Sequence, residues 1–195
     1  MEYKLAQLIC AYLLKNKTIT EDLRDVYVYG FEILLSFVFS VLTILLLGLL
    51  TNNILVSLIY LIVFIFTRRF VGGYHANTHF KCQLCSFIVF STVLLLTSYI
   101  DVDIYWICTL MVIGTFSILI LAPIENPHKP ITEQQHKKCK VTGLIIFLLT
   151  SNVSLLIRDF NITLCNAVFY TQAAVIVLMI KAIILKRRKQ HEKEV

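Results

Sequence analysis

Charge is scarce in this chain: only 15% of its 195 residues are Asp, Glu, Lys or Arg, against 58% hydrophobic. A soluble domain of this length could not hide so much apolar surface, so lipid is the expected solvent for most of it. Linker-like Ser/Pro/Gly stretches, low-complexity tracts and a convincing internal repeat are all missing, which argues for one membrane unit without a separate soluble domain. A cleavable signal is not expected, because Glu2, Lys4, Gln7 and Lys15 interrupt the apolar residues near the amino end. The six cysteines (Cys10, Cys82, Cys85, Cys108, Cys139 and Cys165) are scattered through or beside apolar segments. That scatter does not read as a disulfide framework; most are expected to be reduced, small buried hydrophobes.

What is abundant is apolar sequence in long runs. Stretches at 28–50, 52–67, 84–100, 104–122, 141–157 and 162–185 approach the length of a membrane span, which needs about 20 residues. The expected fold is an all-α integral membrane protein, a polytopic bundle of about six transmembrane helices. The second, third and fifth stretches are short enough that four spans with re-entrant segments is an alternative. Ahead of them, Leu5, Leu8, Ile9, Tyr12 and Leu13 recur at helical spacing. This predicts an amino-terminal amphipathic helix lying in the interface, followed by a capping box at Thr18-Ile19-Thr20-Glu21 that opens the next helix. The chain then divides into a cytoplasmic or interfacial amino-terminal helix (1–27), spans 1–2 (28–67), a loop (68–83), spans 3–4 (84–122), a second loop (123–140), spans 5–6 (141–185) and a basic tail (186–195).

Basic residues decide orientation. All 18 Lys and Arg residues except Arg158 fall in the amino end, the two long loops or the carboxy end. The connections Thr51-Asn52-Asn53 and Asp101-Val102-Asp103 contain none. The positive-inside rule therefore places both termini and both loops in the cytoplasm. The net charge of +6 follows this topology rule, so no nucleic-acid partner is expected; the partner of the basic tail is the lipid bilayer. Glu32, inside the first span, either snorkels to the interface or pairs within the bundle.

Reactive side chains concentrate between Arg68 and Cys85. Gly72 and Gly73 allow close backbone approach where the second span ends, and such backbone must be covered by protein or line a wet cavity. Cys82 and His75 form a candidate nucleophile and base: a free thiol of pKa about 8.5 needs a partner to react as thiolate at neutral pH. Seven residues along a straight helix would separate their Cα atoms by about 10.5 Å, so a working pair requires a turn or break near Ala76–His79. His75, His79, Cys82 and Cys85 fall on one helix side, equally suited to zinc by spacing. A Cys82-x-x-Cys85 redox pair is weaker, lacking any thioredoxin-like pattern. The second polar segment, 122–131, holds all three prolines, Pro123, Pro127 and Pro130; they stiffen the loop and stop the fourth span. Glu125 or Asn126 within it is positioned to orient a base or hold a substrate.

Arg68-Arg69-x-x-Gly72-Gly73-Tyr74-His75-Ala76, followed by Cys82, resembles the signature of the accessory gene regulator protein B family, quorum-sensing peptidases of Gram-positive bacteria. The segment Ala122-Pro-Ile-Glu-Asn-Pro-His-Lys-Pro-Ile131 is similar to a second block of that family. The resemblance implies a membrane-embedded cysteine endopeptidase of the bacterial cell membrane. Its partner would be a small amphipathic peptide precursor (accessory gene regulator D-like), cut through a Cys82 thioester and cyclised to a thiolactone. It implies that Cys82 is the nucleophile and His75 its base, and that Arg68 and Gly73 match positions needed for activity, with no metal and no cofactor. Arg69 and Gly72 are further candidates for holding substrate or the oxyanion. The resemblance supplies no orienter of His75, for which Glu125 and Asn126 stand as candidates. A peptide exporter or permease and a zinc-stabilised non-enzymatic scaffold are the competing classes. A homodimer is the default assembly, since two-fold pairs are the commonest.

Overall fold

The computed structural model describes residues 2–73, 79–124 and 132–194. They form seven α-helices, α1 (Glu2–Lys15), α2 (Arg24–Leu50), α3 (Ile54–Val71), α4 (His79–Tyr99), α5 (Ile104–Leu121), α6 (Glu133–Ile157) and α7 (Ile162–Glu194), with a 3₁₀ turn at Glu21–Leu23 before α2. No strand occurs among the described residues. Helices α2 to α7 are each long and apolar enough to cross a membrane, so the chain is a multi-pass helical membrane protein.

The helices overrun the apolar stretches that announce them. α3 continues through Arg68 and Arg69 to Val71, α4 begins at His79, and α6 begins at Glu133, eight residues ahead of its apolar run. Hydropathy marks only the part of a helix that lies in hydrocarbon, whereas Arg, Lys and Gln propagate helical hydrogen bonding beyond it. Segments 68–83 and 123–140, expected as loops, are therefore helical at Arg68–Val71, His79–Gln83 and Glu133–Lys140. The basic tail likewise continues α7. Each marginal stretch is one continuous helix of 18 residues or more, long enough to cross as six spans require.

Helix ends are closed by the backbone more than by caps. Lys17 (φ 54°) and Asn52 (φ 56°) adopt left-handed conformations. Thr18 N donates to Leu13 O at 3.0 Å and Asn53 N to Gly48 O at 2.7 Å, the pairing of a Schellman end. The capping box expected at Thr18–Glu21 does not form: Thr18 is spent closing α1, and the Thr20 side chain makes no cap bond. The box that does form is Thr132–Gln135. Gln135 N donates to Thr132 Oγ1 at 3.4 Å and Thr132 N to Gln135 Oε1 at 3.2 Å, opening α6.

α3 and α7 are the central pair, flanked by α2 and α4 on one side and α5 and α6 on the other. One core cluster joins Tyr60 and Phe64 of α3 to Phe90 of α4 and Val175 of α7; a second joins Val71, Ile118, Phe147 and Met179. Small residues set the closest approaches, as they do generally between membrane helices. A Cβ at Gly114 would lie 2.2 Å from Phe147 Cζ, and one at Gly143 would lie 2.8 Å from Val71 Cγ2. The outer sides of α2 and α5 expose Phe37, Leu42, Leu46, Val112, Phe116 and Ile120, which only lipid can cover.

The expected apolar stripe of α1 is divided. Ala6 and Cys10 are buried against Val28, with Phe31 and Leu35 of α2 alongside, because small side chains let the two helices approach. Leu5, Leu8 and Tyr12 remain exposed. Of the six cysteines only Cys10 and Cys165 are buried; all are free thiols.

Several polar side chains inside the bundle pair across helices. Gln172 Nε2 donates to Thr150 Oγ1 at 2.6 Å and to Phe147 O at 3.1 Å, while its Oε1 accepts from Ser151 Oγ at 3.0 Å. Asn166 fastens the α4–α5 connection to α7, accepting from Val102 N and donating to Asp101 Oδ1. Arg158 sits between Asp103 and Asp159 at 3.7 and 3.8 Å, so the α4–α5 and α6–α7 connections share one end of the bundle. Gln172→Leu is expected to lower stability by about 1 kcal/mol, the size of an interhelical hydrogen bond in lipid. Thermal unfolding in detergent micelles checks this, and an unchanged midpoint would contradict it.

Candidate functional site

The site is built where α3 ends. Arg68 and Arg69 occupy its last turn, placed there because a long basic side chain lets an apolar helix run on to the interface. Arg68 is half-buried, with its guanidinium 5.3 Å from the Phe64 ring centroid. Arg69 is exposed, its guanidinium 5.9 Å from the Phe70 ring. The helix stops at Gly72, whose N–H still donates to Arg68 O at 2.9 Å and whose φ of +81° is open in practice to glycine alone.

That conformation turns the chain against the second polar segment. Ile124 N donates to Val71 O at 3.1 Å. A Cβ at Gly72 would stand 2.7 Å from Ile124 O and 2.9 Å from Ile124 N. The backbone of Gly73 passes beside Arg68, where an added Cβ would be 3.6 Å from Nε. The fold thus joins the described ends of two motifs roughly fifty positions apart in sequence, Gly72-Gly73 and Pro123-Ile124. His75, Glu125 and Asn126 lie outside the described residues, as do Ala76–Thr78, where a break was expected before α4 begins at His79.

Cys82 is in the first described turn of α4, half-buried, and Cys85 is half-buried one turn later. Cys85 packs against the core cluster that contains Tyr60, which is fully buried. Tyr60 Oη and Thr67 Oγ1 are buried without a hydrogen-bond partner among the described residues. The zinc arrangement depends on His75 and the His79 side chain, both outside the described residues. Glu32, one turn before Ser36 on α2, is half-buried and engaged with a partner.

One contact escaped sequence reasoning. Gln83, next to Cys82, donates through Nε2 to Glu2 Oε1, and to Ser36 Oγ and Ser36 O at 3.4 and 3.5 Å. The available signal was a lone amide at the mouth of an apolar run and a lone early serine in another. Nothing in the spacing linked them to a glutamate 81 positions away.

The family model for Accessory gene regulator B matches residues 6–185. The chain is 28% identical over 145 residues to Putative AgrB-like protein 1 of Clostridium perfringens, covering 71% of this chain and 77% of that protein. It is 26% identical over 131 residues to Accessory gene regulator protein B of Staphylococcus aureus (strain JH9), covering 67% of this chain and 70% of that protein. No solved structure matches. With six apolar helices and a family match running from α1 well into α7, the chain belongs to the accessory gene regulator B family.

Proposed function

We propose that the chain is a membrane-embedded cysteine endopeptidase that cuts an amphipathic peptide precursor and promotes its cyclisation for quorum sensing. What supports the reading most is the seam at Gly72 and Ile124, which draws the chain leading to His75 and the chain leading to Glu125 and Asn126 to one place beside Arg68. Both termini and the Arg68–Cys85 segment face the cytoplasm of the bacterial cell, as the placement of Lys and Arg requires. The precursor's apolar helix face lies on the inner leaflet, and its carboxy-terminal part enters the site.

His75 takes the proton of the Cys82 thiol, and the sulfur adds to a peptide carbonyl of the precursor. The C–N bond breaks as the amine departs with that proton. The Gly72 N–H is spent on Arg68 O, so the Gly73 N–H is the one that faces the oxyanion, and Arg68 or Arg69 holds an acidic part of the released segment. Glu125 or Asn126 orients His75. The acyl thioester on Cys82 then exchanges with a cysteine thiolate inside the same acyl segment: the new C–S bond closes a thiolactone, the C–S bond to Cys82 breaks, and Cys82 leaves as thiolate. One thioester replaces another, so activation is conserved. An effective molarity of about 10⁵ M or more lets the internal thiol outrun water at about 55 M.

Rapid denaturing quench of vesicle-embedded protein mixed with precursor, followed by peptide mass spectrometry, tests the reading. The expected result is an acyl mass on the peptide containing Cys82, removed by hydroxylamine and unaffected by EDTA. Cleavage that EDTA abolishes, with no adduct on Cys82, would overturn it in favour of a metal site.

A further inference from the structure

We infer that Gln83 is a positioning residue, the tie that holds the Cys82-bearing turn of α4 against α1 and α2; the inference rests on the reading of Cys82 as nucleophile. Among the described side chains of α4 none is buried before Phe90. Cys85 and Val89 touch the core cluster only as half-buried side chains, and the first fully buried one, Phe90, lies eight residues, about 12 Å along the helix, past Cys82. Leu84, Phe87 and Ile88 are exposed, so they do not anchor this stretch to the bundle.

The seam between α2 and α4 is also incompletely filled. A cavity of about 150 Å³ opens there, lined among others by Ser40 and Thr43 of α2 and by Gln83 and Ser86 of α4. A gap on this side leaves the helix without opposing atoms, and so without the dispersion contacts that would fix its angle. What does cross the seam is the Gln83 amide. One contact goes to the Glu2 carboxylate, a charge-assisted bond of the stronger kind. The others go to Ser36, which is itself buried and whose carbonyl also accepts from Ser40 Oγ at 3.0 Å.

Glu2 belongs to α1, which packs on α2 through Ala6 and Cys10 and leaves Leu5, Leu8 and Tyr12 uncovered. The tie therefore runs from a helix with an open apolar stripe to the residue beside the thiol. A side chain at 83 projects from the turn that carries residue 82, so releasing it leaves that turn held only by the half-buried Cys85 and Val89 contacts and by Phe90. Sulfur displaced by an ångström leaves the line of attack, which lowers turnover far more than precursor binding.

The test uses the full chain in vesicles, with the alkylation rate of Cys82 by N-ethylmaleimide read by peptide mass spectrometry and precursor cleavage read in parallel. Gln83→Leu removes the donor, Gln83→Glu sets two carboxylates together, and Glu2→Ala cuts the tie from a helix outside the core clusters of α2–α7. Each is expected to change Cys82 alkylation by about tenfold and to lower kcat by about tenfold, with KM within about twofold of wild type. The exchanged pair Glu2→Gln/Gln83→Glu restores a donor facing a carboxylate and is expected to recover both rates. Single variants that alkylate Cys82 at the wild-type rate overturn the inference, as does an exchanged pair that folds normally but recovers neither rate. If the wild-type protein cleaves no precursor, the endopeptidase reading fails, while the alkylation rates still decide whether Gln83 positions the turn.

Discussion

Cys82→Ala is expected to reduce precursor cleavage by about 10⁴-fold or more, the cost of deleting a nucleophile whose neighbours work only with it. His75→Ala should fall by a similar factor, and the double variant should be hardly worse than either single one, because the two residues act in one step. Cys82→Ser separates the two stages. Its hydroxyl would form an oxygen ester, a poorer acyl donor to an internal thiol, so any residual cleavage should yield mostly linear product. Quantifying the released carboxy-terminal fragment and the ratio of cyclic to linear peptide checks all of these. Cleavage by Cys82→Ala at the wild-type rate would end the proposed mechanism.

Gly72→Ala is expected to destabilise the protein by about 3 kcal/mol or more, whereas Gly73→Ala should be close to neutral for stability. The two neighbours differ in geometry. Gly72 has φ +81° and ψ −168°, a region essentially closed to residues with a Cβ and costing about 1–3 kcal/mol to enter. The added carbon would also meet backbone, Ile124 O at 2.7 Å and Ile124 N at 2.9 Å. Ile124 cannot retreat without giving up its 3.1 Å hydrogen bond to Val71 O. At Gly73 the nearest atoms belong to the flexible Arg68 side chain at 3.6 and 3.8 Å, ordinary contact distance. Parallel thermal unfolding in one detergent decides this: equal losses would mean the Gly72–Ile124 seam is not rigid. Activity at Gly73→Ala is a separate readout, since by family resemblance that position is needed for function.

The two glycines illustrate how the sequence was legible and where it stopped. Their adjacency announced a close backbone approach where the second span ends, and Gly72 makes one against Ile124. Which of them needs to be glycine depends on φ and on a carbonyl from a segment about fifty residues away, and no local pattern carries that information. The α1 stripe shows the same division. Its periodicity predicted a helix correctly, but the face that packs is Ala6 and Cys10, because close approach to α2 favours small side chains over large ones. The capping box was misplaced for a related reason: Thr18 carries the right side chain, yet its N–H is needed to close the helix before it.

The sequence by itself determined the membrane solvent, the all-helical class and the family. These depend on composition, on runs about one bilayer long and on local motifs, all of which are properties of contiguous residues. Only the tertiary structure decided that α3 and α7 form the centre, that Gly72 locks onto Ile124, and that Gln83 is tied to Glu2 and Ser36. In a bilayer nearly every outward face is apolar, so hydrophobicity no longer tells a lipid-facing side from a packed one. Partners are then chosen by shape, by small residues and by a few buried hydrogen bonds, and those exist only once the helices have met.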